Sequence, residues 1–243
     1  MRRHLTITLA VLIALAALWL IVTLRFIPVQ KGGIGGKKAI YDLIPVKLFS
    51  FSSDNALKEW EDKIFKGKVI YKIEKDEDLS YVQAHSAGNA SALYYKIKMD
   101  VKNRRPVLRW KWRVEKFPVK SAPESLEIAG EDDFAGRVYV IFPAMFILNS
   151  QVVEYIWAEK LPAGSTGTSP YSKNIKLMVL ESGPAKDGKF ISEERDVLTD
   201  YITMFGKPPE RDIGAVAFMT NTEHTNTSAD AMYDEIELGY KEK

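Results

Sequence analysis

Strict alternation of apolar and charged side chains is the feature that most limits how this chain can fold. In residues 107–115, "VLRWKWRVE", the apolar positions include Trp110 and Trp112, and charged side chains stand between them. Residues 92–100, "ALYYKIKMD", repeat the alternation. A period of two is typical of a strand with one buried face and one solvated face. These segments predict a mainly β domain.

Further segments extend the β pattern along the chain. Alternation is weaker at 68–74 and 80–86 and returns at 233–240. Between them, the runs at 137–142, 175–181 and 214–220 are apolar on both faces. Runs that are apolar on both faces are typical of central strands. Many strands with Pro- and Gly-containing connections predict a jelly-roll-like two-sheet β-sandwich with one or two short helices.

The sequence offers one clear helix and one weaker candidate. "SEERDVLTDYITMFGKPP" places Ser192 at an N-cap position, an apolar stripe at helical spacing between Val197 and Phe205, and Gly206 as a stop. "DNALKEWEDKIF", residues 54–65, has apolar side chains at similar spacing. We therefore expect a helix that begins near Ser192 and a second short helix over 54–65.

The N-terminal region predicts a membrane anchor. Residues 5–24 are uncharged and mostly apolar, with Arg2 and Arg3 before them and Arg25 after them. About 20 helical residues span roughly 30 Å of hydrocarbon. The run lacks a good cleavage site, which favours a retained anchor over a cleaved signal, and Arg2 and Arg3 favour a cytoplasmic N-terminus.

The resulting division of the chain has four parts. It consists of a cytoplasmic N-terminus (1–4), a transmembrane anchor or uncleaved signal (5–24), a flexible linker (25–40) and an extracytoplasmic β-sandwich domain (41–243).

Composition excludes several classes of function. The chain has no cysteine, which removes disulfides, thiolate zinc sites, cysteine nucleophiles and lipoprotein acylation. The formal net charge is +2 and the basic residues form no stripe, so a nucleic-acid partner is not expected. Serine-elbow, phosphate-loop and zinc-helix motifs are also absent from the sequence, which weighs against a familiar enzyme class.

Three adjacent carboxylates suggest a metal site. Glu131, Asp132 and Asp133 directly precede a predicted central strand. Carboxylate oxygens suit calcium, which is the one cofactor that the sequence suggests. The alternative is a solvated turn, with an aspartate paired to Arg137.

Aromatic and amide side chains suggest a sugar site. Tyr155 and Trp157 fall on one face of a short strand, and Tyr171 and Asn174 lie in the long loop after it. Ring faces stack on sugars, and amides bond to their hydroxyl groups. The alternative is that Tyr155 and Trp157 belong to the core.

Two more segments offer ligand-binding groups. Arg195 in "EERDV" has the fork geometry that clamps a carboxylate, although helix-end electrostatics also explains this charged segment. Asn221, Glu223 and His224 in "TNTEHTNT" follow a predicted buried strand, where ligand-binding loops are common. The alternative for His224 is an ordinary loop histidine.

The ordered segments "WKWRVEKFP", "EDDFAGRVYVIFP", "EYIWAEKLPAGS" and "IGAVAFMTNTEHTNTSADAMYDEI" together resemble a bacterial family of envelope proteins known only as a domain of unknown function. The resemblance implies a secreted β-sandwich similar in outline to carbohydrate-binding and galactose-binding-like modules. It also implies Asp, Asp and Asn where Asn221, Glu223 and His224 stand, so a metal or catalytic role does not carry over directly.

We therefore expect a single-pass protein of the bacterial cytoplasmic membrane whose periplasmic domain binds a glycan or another polar envelope ligand. Two alternatives remain open at this point. One is a structural or protein-interaction domain of the envelope, which would expose a large apolar patch. The other is a hydrolase, in which at least two of the noted carboxylates would converge in one cleft.

Overall fold

The computed structural model describes residues 42–76, 79–146 and 149–242, which form a two-sheet β-sandwich. The predicted anchor, at residues 5–24, and the linker, at residues 25–40, lie outside the described residues. In the part of the chain that is described, no helix is long and apolar enough to cross a membrane.

The strands are β1 Leu43–Phe49, β2 Glu61–Lys66, β3 Ile70–Asp76, β4 Leu79–Ala87, β5 Ala90–Met99, β6 Pro106–Lys116, β7 Gly136–Phe142, β8 Gln151–Ala158, β9 Thr166–Thr168, β10 Ile175–Ser182, β11 Ile191–Asp196, β12 Ile213–Asn221 and β13 Ser228–Lys241. The helical elements that lie wholly within the described residues are the 3₁₀ turns Ala56–Glu59, Ala129–Glu131 and Lys186–Gly188 and the α-helix α1 Val197–Phe205. All eight segments predicted as strands from alternation or apolar runs lie in strands, which confirms the mainly β sandwich.

The two sheets divide the strands unequally. Sheet A has the order β11-β6-β13-β4-β3, and β1 pairs with the second half of β13. Sheet B has the order β2-β5-β12-β7-β8-β10-β9. Among the strand pairs of the described residues, β8 and β10 run parallel and the other pairs are antiparallel.

Aromatic side chains fill the space between the sheets. Trp110 and Trp112 of β6 face Tyr155 and Trp157 of β8. The ring centroids of Trp110 and Tyr155 are 5.3 Å apart, and those of Trp112 and Trp157 are 5.4 Å apart. Each such pair stabilises the fold by about 0.5–1.5 kcal/mol beyond the effect of the apolar area that it buries. The inward face predicted for β6 is confirmed.

The helix begins later than the sequence pattern predicts, so Ser192 is not its N-cap. Residues Ile191–Asp196 form β11, which pairs with β6 and completes the edge of sheet A. The helix starts at Val197, where the Asp196 side chain accepts a 3.0 Å hydrogen bond from Thr199 N. The backbone hydrogen bonds that residues 191–196 make with the edge of β6 outweigh the preference of their acidic side chains for the first turn of a helix.

The prediction of a second helix over 54–65 is also wrong for most of those residues. Only Ala56–Glu59 is helical, as a single 3₁₀ turn, and β2 follows from Glu61. Trp60 lies between them and packs in the core, with its ring centroid 4.6 Å from that of Phe49. Strand pairing with β5 takes up the residues that a longer helix would have used.

The two ends of the sandwich carry different features. At the distal end, as we call it, β12 finishes at Asn221 beside the start of β7. At the opposite, proximal end, β1 begins at Leu43 and pairs with the last residues of β13. A 2.8 Å hydrogen bond from Asp100 N to the Tyr240 hydroxyl joins the sheets there. The candidate site lies near the distal end.

Candidate functional site

Two distant segments of the chain meet beside the distal end of sheet B. Because β7 and β12 are antiparallel neighbours, with Arg137 opposite Met219, the residues before β7 lie next to the residues after β12. This register brings Asp132 and Asp133 against the segment from Asn221 to His224. "TNTEHTNT" therefore lies beside the acidic segment at 131–133, whereas "EERD" lies on another strand, β11 of sheet A.

Asn221 is the centre of the buried part of the site. Its Oδ1 atom accepts hydrogen bonds from Phe134 N (3.1 Å) and Arg137 Nη1 (2.9 Å). Its Nδ2 atom has two hydrogens but lies 2.8–2.9 Å from three acceptors, which are Asp132 O, Asp133 Oδ1 and Glu223 Oε2. The cluster therefore contains one more acceptor than the amide can satisfy.

Arg137 supplies the positive charge beneath Asn221. Its guanidinium contacts Glu154 Oε1, donates to Asp132 Oδ1 (3.1 Å) and donates to the Asp132 carbonyl (2.9 Å). Burial raises the pKa of Glu154 to about 7, although Arg137 opposes that shift. Burial likewise raises the pKa of the Asp132 carboxyl, again against Arg137.

Asp133 holds the loop after β12 in place. Its carboxylate is fully buried and accepts from Thr225 N (2.7 Å), His224 N (3.1 Å) and Asn221 Nδ2 (2.9 Å). Burial and the nearby Glu223 charge raise the pKa of Asp133. A carboxylate with this many donors acts as a clamp for the loop and fixes where the next side chains point.

Glu223, His224 and Tyr171 are the partly exposed members of the site. The Tyr171 and His224 rings are stacked, with centroids 5.6 Å apart and planes 19° apart. The Tyr171 hydroxyl donates its proton to the Ala129 carbonyl (2.9 Å), so it accepts from His224 Nε2 at 2.7 Å. Glu223 Oε1 lies 3.3 Å from the same nitrogen. These contacts orient the imidazole ring.

The pKa values of Glu223 and His224 move in opposite directions. Burial opposes both charged forms, but the hydrogen bond and charge of the partner prevail, so the pKa of Glu223 is lowered and that of His224 is raised above 6.5. A raised histidine pKa contributes stability that is present below pH 6.5 and is lost as the pH rises through the folded-state pKa.

We predict that Glu223→Gln lowers the pKa of His224, because it removes the main charge that favours the imidazolium. The test is an NMR titration of the ring protons, which is simple since the chain has only three histidines. His85 is the internal control because its partner is Asp230, 2.6 Å away in sheet A. An unchanged His224 titration would show that Glu223 does not set its charge.

Four of the eight predicted ligand-binding residues meet at this site, namely Tyr171, Asn221, Glu223 and His224. Tyr155 and Trp157 do not, because their exposed fractions are 0% and 1%. Both sides of β8 are covered, and these two rings point to the side that faces sheet A. The interpretation of Tyr155 and Trp157 as a surface platform is corrected: they are core residues.

Arg195 and Asn174 lie outside the cluster. Arg195 donates to both oxygens of Asp200, at 2.6 and 2.9 Å, and the Tyr155 hydroxyl donates to the same carboxylate. Arg195 is therefore engaged within the protein. Asn174 lies in the turn before β10, where its backbone carbonyl accepts from Val152 N at 2.9 Å and its backbone N–H donates to Ser172 Oγ at 3.2 Å.

The carboxylates predicted to bind calcium have three different environments. Asp132 pairs with Arg137, Asp133 clamps the loop, and Glu131 is buried with Oε2 lacking a hydrogen-bond partner. Another set, Asp133, Glu223 and His224, places its ligand atoms within 4.8 Å of one another. Of these, Glu223 and His224 are the accessible pair, since Asp133 uses its oxygens on backbone donors.

Sequence reasoning missed Glu154 and Tyr139, which extend the site across the outer face of sheet B. Tyr139 lies opposite both Ala217 and Glu154 in the strand register. The available signal was a carboxylate in the middle of an apolar strand, "VVEYIWA". Buried carboxylates are rare without a partner, so Glu154 predicts a cation nearby.

Together these features define a two-sheet β-sandwich with a preorganised polar site on one face, near the distal end. The chain belongs to the family described as "Protein of unknown function (DUF3047)", whose profile matches residues 58–237. This confirms the resemblance to a domain of unknown function. No curated protein sequence matches the chain.

Several solved structures are similar to this chain in outline. The family 30 carbohydrate-binding module of cellulosomal cellulase Cel9D-Cel44B of Clostridium thermocellum has 6% identity, a TM-score of 0.43, and coverage of 82% of this chain and 100% of that chain. The family 11 module of Lic26A-Cel5E from the same organism has 10% identity and a TM-score of 0.39, with 86% and 96% covered.

A third similar structure is the enzymatically active domain of bacteriophage CBA120 tailspike protein 4, with 8% identity and a TM-score of 0.41. The match covers 79% of this chain but only 21% of that one, so this chain spans about a fifth of its length. All three superpositions are too loose to transfer a ligand or an activity to this protein.

Proposed function

We propose that this protein is a binding module for a polar ligand, and that the ligand is a glycan held against Tyr171, Glu223 and His224. The observation that carries the proposal is the acceptor surplus at Asn221 Nδ2, where Glu223 is the partly exposed member. A hydroxyl group that donates to Glu223 would satisfy it. Sugar hydroxyls are such donors.

The electrostatics of the site select the class of ligand. Four carboxylates, Asp132, Asp133, Glu154 and Glu223, surround one guanidinium, Arg137, so the site is rich in acceptors. Anionic ligands such as phosphates are disfavoured there, whereas a neutral polyhydroxylated ligand is not. The stacked Tyr171 and His224 rings add a planar, half-buried surface beside the carboxylate, which suits the apolar face of a sugar ring.

The same geometry favours binding over hydrolysis. A glycoside hydrolase needs two carboxyl groups on either side of the scissile bond, about 5–10 Å apart and open to substrate. Here Asp133 and Glu154 are buried and already hydrogen bonded, which leaves Glu223 as the accessible carboxylate of the cluster. One accessible carboxylate beside a histidine can orient a ligand, but it does not supply the two accessible carboxyl groups that glycoside hydrolysis requires.

A divalent cation is the second candidate ligand, because Asp133, Glu223 and His224 place three ligand atoms within 4.8 Å. Binding would require Asp133 to give up backbone donors. Mixed carboxylate and imidazole ligands suit zinc or manganese more than calcium.

The location in our proposal rests on the sequence. The apolar run at 5–24 anchors the chain in the bacterial cytoplasmic membrane, and the sandwich lies on the periplasmic side, where envelope glycans are available as ligands.

We expect a glycan array probed with the full chain in nanodiscs to show a specific signal that His224→Ala and Tyr171→Ala reduce at least tenfold. His85→Ala is the matched control, since the His85 ring is also paired with a carboxylate, that of Asp230, but lies in sheet A. Each array is run with zinc, with calcium and with chelator. A signal that survives in His224→Ala would contradict the site, and a signal lost only with chelator would favour the cation.

A further inference from the structure

The proximal end of the sandwich exposes two large apolar side chains. Met145 is 64% exposed and Phe146 is 71% exposed, the latter being the most exposed large apolar side chain among the described residues. We call these two residues the apolar tip. They lie in the connection after β7, and neither contributes to the core clusters of the described residues.

Hydrogen bonds connect the described residues on the two sides of the tip. Asn149 N donates to the Phe146 carbonyl at 2.8 Å, and Ala144 N donates to Ser150 Oγ at 3.0 Å. The side chains of Met145 and Phe146 are exposed to solvent beside a groove that Arg211 and Gln151 also line.

The tip and the start of the described chain lie at the same end of the molecule. Pro143, two residues before Met145, packs against Gly214 at the start of β12, and β12 pairs there with Met99 at the end of β5. Asp100 N is bonded to the Tyr240 hydroxyl, and Tyr240 lies opposite Ile44 of β1. The chain thus leaves the sandwich toward its N-terminus from the end that carries the tip.

The chain length outside the structure limits how far this end can move from the predicted anchor. Seventeen residues, 25–41, separate the apolar run from Asp42, and a chain of that length reaches at most about 60 Å. A domain tethered this closely meets the bilayer surface at an effective concentration on the order of millimolar. Under that condition, a weak apolar contact is enough to keep one end on the membrane.

We infer that the apolar tip docks on the lipid bilayer, with Met145 and Phe146 inserted among the headgroups, so that the polar site near the distal end faces away from the membrane. The inference rests on the anchoring part of the proposed function and is independent of glycan binding. Ion pairs neutralise part of the charge at the proximal end, namely Lys207 with Glu210 (2.8 Å) and Arg105 with Asp196 (2.7 Å). Apolar contact rather than charge therefore holds the tip, and neutral lipid is sufficient.

The absence of cysteine makes the test direct, because a single introduced cysteine can be labelled without background. Full-length Phe146→Cys is labelled with an environment-sensitive fluorophore and reconstituted in vesicles of neutral phosphatidylcholine, with and without brominated acyl chains. Val119→Cys is the matched control, since Val119 is 69% exposed and lies at the distal end, bonded through its amide to Thr227 Oγ1.

We expect brominated lipid to quench the label at residue 146 and not the label at residue 119, at low and at high salt alike. A label at Met145→Cys should behave like the one at 146. Absence of quenching at both 145 and 146 would overturn the inference, as would equal quenching at 119. Failure of the chain to float with the vesicles would overturn it too, because the tether would be missing. Glycan binding that persists in any of these cases would leave the proposed ligand site standing.

Discussion

Replacing Arg137 with methionine is expected to lower the free energy of unfolding by about 3–5 kcal/mol at pH 7. The side chain is buried and is the counterion of Glu154 and Asp132. Without it, two carboxylates remain buried with no cation beside them, and Asn221 Oδ1 loses one of its donors. Urea denaturation monitored by tryptophan fluorescence measures the loss.

The pH dependence of this variant identifies the cause. Burial already raises the pKa of Glu154 to about 7, above its ordinary 4.5, so its contribution to stability falls as the pH rises between these values. Removing Arg137 raises that pKa further and extends the fall to higher pH. The deficit of Arg137→Met should therefore be smallest in acid, where both carboxyl groups are protonated.

Arg105→Met is the control for loss of an arginine side chain. Arg105 is ion-paired with Asp196, but half of its side chain is exposed, so we expect a change below about 1 kcal/mol. The double variant Arg137→Met with Glu154→Met should be more stable than Arg137→Met alone, because it removes one of the stranded carboxylates. If Arg137→Met and Arg105→Met cost the same, Arg137 does not hold the site together.

Asn221→Ala is the second substitution with a large expected effect, a loss of about 2–4 kcal/mol in the free energy of unfolding. It leaves Phe134 N without its acceptor and removes the donor shared by Asp132 O, Asp133 Oδ1 and Glu223 Oε2. Because those acceptors are close together, their mutual repulsion rises when the amide is lost. Chemical denaturation again provides the measurement.

Asn89→Ala is the matched control for this substitution. The Asn89 side chain is partly exposed and donates one 3.1 Å hydrogen bond to the Lys68 carbonyl, so water can replace the bond that is lost. We expect a loss of less than about 1 kcal/mol. A loss at Asn221 no larger than that at Asn89 would show that the amide is not the centre of the cluster.

The sequence was most informative where one face of a strand is buried and the other is solvated. In β6 the alternation predicts both the strand and the inward position of Trp110 and Trp112, because side chains of a strand point alternately to opposite faces. It fails where both faces of a strand are covered. In β8, Tyr155 and Trp157 share a face, but the pattern cannot say whether that face looks toward sheet A or toward solvent.

Local preference also misplaced the start of α1. The residues Glu193 to Asp196 suit the first turn of a helix, yet they form the edge strand β11, because β6 offers unpaired backbone groups there. A backbone donor or acceptor left unpaired in a buried edge costs more than the helix preference of a few side chains gains. The sequence of residues 191–196 by itself does not predict that these residues pair with β6.

By itself, the sequence determined the mainly β class, most of the strands, the inward face of β6 and the polar character of the segments at 131–133 and 221–224. Only the tertiary structure decided which of these polar residues form one site. Asp132 and Asn221 are far apart along the chain, and they meet because β7 and β12 are antiparallel neighbours in sheet B. Periodicity along a chain is a local property, whereas strand pairing depends on which distant backbone groups hydrogen bond to one another.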